Sequence, residues 1–127
     1  MSTESEKPTV GPPNTDPQAI ARLERFGGRR LLNEMIALYL GSAPERLAAA
    51  AAGVAASDAA ATEYALHALK SSSAQLGAVR LSRLCEQGEM LARGGALATV
   101  AQLIDASREE LGVVEAWLDG VRAERPA

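Results

Sequence analysis

From Asp16 onward, apolar residues recur three and four positions apart, in runs separated by glycine- and aspartate-containing breaks. That spacing predicts a series of amphipathic helices. Asp16 can cap the first and Pro17 suits its opening turn, with Ile20 and Leu23 on the apolar side and Gly27-Gly28 as the stop. A second helix is predicted over 29–40, carrying Leu32, Met35, Ile36, Tyr39 and Leu40. Gly41 reads as its end, and Ser42-Ala43-Pro44-Glu45 as a capping box opening a third helix that runs through Leu47 and the alanines at 48–52 to about residue 56. Ser57-Asp58 ends that helix and caps a fourth over 59–76. Gly77 marks a turn or a tight contact, a fifth helix covers 78–93, and Gly94-Gly95 is a break.

The last helix is predicted over 97–122. Two interleaved series, Val100, Ser107, Val114, Val121 and Ile104, Leu111, Leu118, each repeat every seven residues. This is the seam of a helix packed lengthwise on others, roughly 35–40 Å long at 1.5 Å per residue. Gly112 inside it marks a bend or a close approach. Short turns imply antiparallel neighbours, so the expected fold is all-α: an up-down four-helix bundle formed by the last four helices, with two short N-terminal helices covering one end. Residues 1–15, MSTESEKPTVGPPNT, are polar and contain three prolines. They are expected to form a flexible tail, because they carry too little apolar surface to offset chain entropy. Residues 16–127 form the domain, and 127 residues suit one domain.

Composition narrows the function classes. Hydrophobic residues make up 47% of the chain and aromatics 3%, so the core must be built from Leu, Val, Ile and Ala, a palette that favours helices. A formal net charge of −3 leaves no basic excess for a nucleic acid partner. Cys85 is the only cysteine, which excludes an internal disulfide and a cysteine-cluster metal site. With no signal-like N-terminus and no apolar run of transmembrane length, the expectation is a soluble cytoplasmic protein without a membrane partner. The chain has no strong unmatched apolar face, so a monomer is expected.

The single histidine lies in AAATEYALHALKSSSAQLGA. The core stripe of that helix is Leu66, Leu69, Ser73 and Leu76, and at about 100° per residue His67 points roughly 140° away from it. Tyr64, Ser71, Ala74 and Gln75 share the outward side, and Lys70 lies on the flank one turn after the histidine. A neutral imidazole in water, midway along a helix and beside a cation, is what a phosphoryl acceptor requires. Lys70 can partly offset phosphoryl charge, and the small Ser71 leaves room for the group. On helix geometry alone, an exposed histidine near a lysine is most often an ordinary solvated face, and one histidine makes a poor metal site. There is no GxxxxGK[ST] loop, no glycine-rich nucleotide segment and no acidic cluster for Mg²⁺, so autophosphorylation from ATP is not expected.

The string His67-Ala68-Leu69-Lys70-Ser71-Ser72-Ser73-Ala74-Gln75-Leu76-Gly77-Ala78 resembles the signature of histidine-containing phosphotransfer (HPt) domains. Leu81, Cys85 and Glu89 fall where that family tends to have Leu, Ala or Cys, and Glu. Upstream, FGGRRLLNEMIALYLGSAPERL is similar to its lead-in helices, so the resemblance spans about residues 16–122. It implies a stand-alone phosphocarrier of bacterial type, not an enzyme. His67 would be phosphorylated on Nε2, Lys70 would assist the phosphate, and Ser71 would sit beside the phosphoryl group where the family most often has glycine. Helix four and its neighbours, with Tyr64, Ala74 and Gln75, would present the docking surface. The implied partners are receiver domains of response regulators or hybrid histidine kinases. No cofactor is implied for this chain; the Mg²⁺ belongs on the partner receiver.

Gly88 departs from the family's large apolar residue and reads as a gap or a close helix contact. Tyr64 reads equally as a docking residue or as an aromatic packed on a lead-in helix. Met35, Ile36 and Tyr39 are expected to cover the bundle end, and Ser73 to bond a carbonyl of its own helix. Cys85 reads as a small buried hydrophobe, and Glu89 as a solvated or structural carboxylate. The competing functions are a helical adaptor that binds receivers or a kinase without being phosphorylated, and a scaffold whose histidine is incidental.

Overall fold

A computed structural model describes residues 12–126. Its elements are α1 (Pro17–Ala55), α2 (Ala59–Gln75), α3 (Val79–Arg93) and α4 (Leu97–Ala123). Each packs on the next and α4 returns to α1, which closes an up-down bundle. The heptad series read from the last helix is its buried face, residue for residue: Val100, Ile104, Ser107, Leu111, Val114, Leu118 and Val121.

The N-terminal arrangement differs from the expected one. One short helix and one long one replace three. α1 kinks once, at Gly28 (φ 80°, ψ 179°), and then runs unbroken past Gly41 and through Pro44. No capping box forms at Ser42 and Glu45, because the segment is already helical. The reason lies in the buried stripe Leu32, Ile36, Tyr39, Ala43, Leu47 and Ala50, which continues across the apparent break. Pro44 removes one hydrogen-bond donor, but it sits on the exposed side of the helix. Residues 29–55 are thus the first long helix of the bundle, and only residues 17–27 cross its end.

That short segment is tied down at both ends. At its start, the Asp16 amide donates to the Gly77 carbonyl at 2.8 Å, and the Asp16 carboxylate caps Gln18. Further along, Glu24 pairs with Arg125 at 3.1 Å, next to the α4 C-terminus. Of the expected tail, residues 1–11 lie outside the described residues, while residues 14 and 15 lie against the α2–α3 turn. α3 has no side-chain N-cap. Its orphan amides on Val79 and Arg80 instead donate to the Asn14 carbonyl at 3.1 and 3.2 Å.

Gly77 is the pivot of this junction. Its φ is +83°, and a Cβ there would stand 2.4 Å from the Asp16 carbonyl oxygen. Gly77→Ala should therefore cost about 1–3 kcal/mol, from strain and from loosening the strap. Urea unfolding with an unchanged midpoint would contradict this account of the turn.

Candidate functional site

Leu66 and Leu69 turn inward with Thr62, Ala65 and Ser73, which fixes the rotation of α2 and leaves His67 on its outer side. The His67 side chain is 59% exposed. Its ring is nevertheless held, because Nδ1 lies 2.8 Å from Glu89 Oε2. Glu89 comes from α3 and is 7% exposed, so it is not the solvated carboxylate that was one of its two sequence readings. Its neighbour Gly88 explains the reach: a Cβ there would stand 2.8 Å from Leu66 Cδ1. The missing side chain lets α3 close on α2 at the residue pair adjoining His67 and Glu89. The departure at Gly88 is therefore a close helix contact.

Three cationic or hydrogen-bonding groups converge on the buried carboxylate. Besides His67, Lys70 Nζ lies 2.9 Å from Oε1 and Arg93 Nη2 lies 3.4 Å from Oε2. Burial works to raise the Glu89 carboxyl, but hydrogen bonds and positive charge from Lys70 and His67 outweigh it and hold the group below its ordinary value. An ionised carboxylate can only accept, so the bond from His67 must be Nδ1–H donating to Glu89. That tautomer leaves the Nε2 lone pair free, on the side of the ring away from Glu89.

Because the folded-state pKa of Glu89 is depressed, its contribution to stability is present at neutral pH and disappears as pH falls through that depressed value. Glu89→Gln should flatten the acid limb of the stability curve below about pH 4.5. Glu89→Ala, which removes the acceptor, should slow any reaction at Nε2 by about 10- to 100-fold, through loss of ring orientation. Thermal melts from pH 7 to 3 and single-turnover rates check the two effects separately.

The sequence-derived site residues fall in two places along α2. On the N-terminal side, Ala60, Glu63, Tyr64, His67, Glu89 and Arg93 line a cleft of about 430 Å³. Tyr64 is 76% exposed, which overturns its reading as an aromatic packed on a lead-in helix. On the C-terminal side, Ser71, Ala74 and Gln75 are exposed and share a shallow depression with Ala68 and Ser72. Lys70 is drawn down to Glu89. Ser73 does not bond its own helix; its hydroxyl meets Tyr39 Oη at 2.8 Å in the core, and Ser72 makes the backbone bonds instead, to Ala68 and Leu69. Ile36 and Tyr39 are buried within the bundle. Leu38, which the sequence reading passed over, is exposed and lies beside Met35, Ser72 and Gln75. Burial pushes the Cys85 thiol up to about 12, so it stays protonated at neutral pH. Among the described residues, no group of three or more His, Cys, Asp or Glu could hold a metal ion, and no helix is long and apolar enough to cross a membrane.

A four-helix bundle presenting one oriented, exposed histidine is the arrangement of a phosphotransfer domain. The Hpt domain family matches residues 34–124, most of the chain, and the protein belongs to that family. Among solved structures, it is similar to histidine-containing phosphotransfer protein B (HptB) from Pseudomonas aeruginosa PAO1. That match has a TM-score of 0.85 and 26% sequence identity, and covers 90% of this chain and 98% of that one. No curated protein sequence matches the chain.

Proposed function

We propose that this protein carries a phosphoryl group on His67 Nε2 within a two-component phosphorelay. It takes the group from the aspartyl phosphate of one receiver domain and passes it to another. The observation that carries this reading is the exposed imidazole whose Nδ1 is committed to a buried carboxylate, which leaves Nε2 as the outward nucleophile. The Nε2 lone pair attacks phosphorus, an Nε2–P bond forms, and the P–O bond to the partner aspartate breaks as its carboxylate leaves with the electron pair. The imidazole keeps its Nδ1 proton, whose charge Glu89 balances. In onward transfer a receiver aspartate attacks phosphorus and Nε2 departs with the pair.

The remaining residues have supporting roles. Lys70 shares its charge between Glu89 and the phosphoryl oxygens. Ser71 leaves space beside the group. Tyr64, Ala74 and Gln75 meet the receiver domains of response regulators or hybrid histidine kinases. The magnesium ion that assists aspartyl phosphate chemistry belongs to the receiver. The protein is a carrier without autokinase activity, working as a cytoplasmic monomer.

Incubation with a phosphorylated receiver should place acid-labile, alkali-stable label on this chain. Receiver binding with no label would instead mark an unphosphorylated adaptor. Lys70→Ala should slow uptake by about 3- to 5-fold, the scale of a partly exposed charge contact, and leave helicity intact. Loss of helical circular dichroism in that variant would place Lys70 in the core.

A further inference from the structure

We propose that Arg93 is a phosphate-binding residue of this site, held in check by Glu63 until His67 is phosphorylated. The inference rests on the function proposed above and deepens it. The cleft on the N-terminal side of His67 holds two carboxylates, Glu63 and Glu89. Glu63 lies four residues before His67, one turn away on the same helix face. A phosphoryl group on Nε2 adds up to about two negative charges next to them. Lys70 pairs with Glu89 at 2.9 Å and does not line this cleft. The cation lining the cleft itself is Arg93, and its side chain is 61% exposed.

Arg93 lines the same cleft as His67, and its long side chain can swing within it. A single atom, Glu89 Oε2, lies between the imidazole and the guanidinium, at 2.8 Å from His67 Nδ1 and 3.4 Å from Arg93 Nη2. Its present partner is weakly matched. Arg93 Nε and Nη2 both converge on one oxygen, Glu63 Oε2, at 2.8 and 2.7 Å. This is not the two-oxygen fork in which guanidinium binds a carboxylate best. A phosphoryl group offers three oxygens in a geometry that a guanidinium matches, so turning toward it lets Arg93 exchange a one-oxygen contact for a forked one. Glu63 thus competes with the phosphoryl group for the same donors. It sets how strongly Arg93 engages the group and how readily the group is released.

The signature of competition is opposite signs. If the Glu63–Arg93 pair merely braced α2 against α3, removing either partner would act in the same direction. The full chain would be phosphorylated with phosphoramidate, which needs no partner protein, and the phosphohistidine followed by phosphorus NMR as a function of pH. Arg93→Ala should raise the pKa of the phosphoryl group, about threefold in its proton-dissociation constant. Arg93→Lys should fall nearer wild type. Glu63→Gln should lower that pKa, and in the Arg93→Ala background its effect should shrink markedly, since no guanidinium remains to be released.

An unchanged phosphoryl pKa in Arg93→Ala would overturn the proposal. So would shifts of the same sign in both single variants, or a Glu63→Gln effect that persists in full without Arg93, which would be direct repulsion alone. Absence of any phosphohistidine signal in the unaltered protein would defeat the parent reading as well, and is distinct from a signal that forms but ignores both substitutions. Circular dichroism on each variant separates these outcomes from loss of fold.

Discussion

His67→Gln is expected to abolish phosphoryl uptake, leaving label at background however long the protein is incubated with a phosphorylated receiver. The effect should be total because the chain contains a single imidazole. A glutamine amide has similar bulk and polarity, but its nitrogen lone pair is delocalised and cannot attack phosphorus. The fold should hardly notice. His67 is more than half exposed, its neighbours Leu66 and Leu69 carry the packing, and the amide can still donate to Glu89. The measurement is therefore a clean pair: unchanged thermal unfolding, and label that vanishes. Uptake surviving in this variant would mean that phosphate resides elsewhere, and the carrier reading would fall with it.

The outward position of His67 was legible because α2 is regular. Leu66, Leu69, Ser73 and Leu76 define one face, all four are buried, and the histidine follows by rotation. The α4 seam was legible for the same reason. What misled was local chemistry. Gly41, Ser42, Pro44 and Glu45 are what a helix junction would use, yet the apolar stripe from Leu32 to Ala50 keeps its register through them. Burial of that stripe outweighs one missing donor at an exposed proline. The short leader was legible as a capped helix stopped at Gly27-Gly28, but the contacts that fix it, with residues 77 and 125, lie far along the chain and were not.

The partner of the histidine was hidden for a different reason. Glu89 lies on the inner face of α3, four residues after Cys85 and three before Ala92, both buried. A carboxylate on an apolar stripe must find a cation or a donor, and that misplacement was the signal available. Which group answers it depends on how closely α3 approaches α2, and Gly88 sets that distance. Spacing along one helix cannot reveal a contact made across two. Arg93 and Glu63 belong to the same class: each reads as an ordinary surface charge until α2 and α3 are placed side by side.

Leu69→Ala should have the largest effect on stability and little on chemistry, the inverse of His67→Gln. Leu69 is fully buried, two residues from the histidine and adjacent to Lys70. Truncation there removes transfer free energy and leaves a cavity, a loss of about 2–5 kcal/mol. Against a typical stability of about 5–15 kcal/mol, the protein should remain folded at 20 °C while its Tm falls by about 10–20 °C. Phosphoryl uptake per folded molecule at that temperature should stay within about twofold of the parent, because the Glu89 clamp, and not the side chain beneath, orients the ring. If the variant instead kept its Tm and lost transfer, Leu69 would be facing a partner rather than the core. The rotation of α2 that puts His67 into solvent would then be wrong.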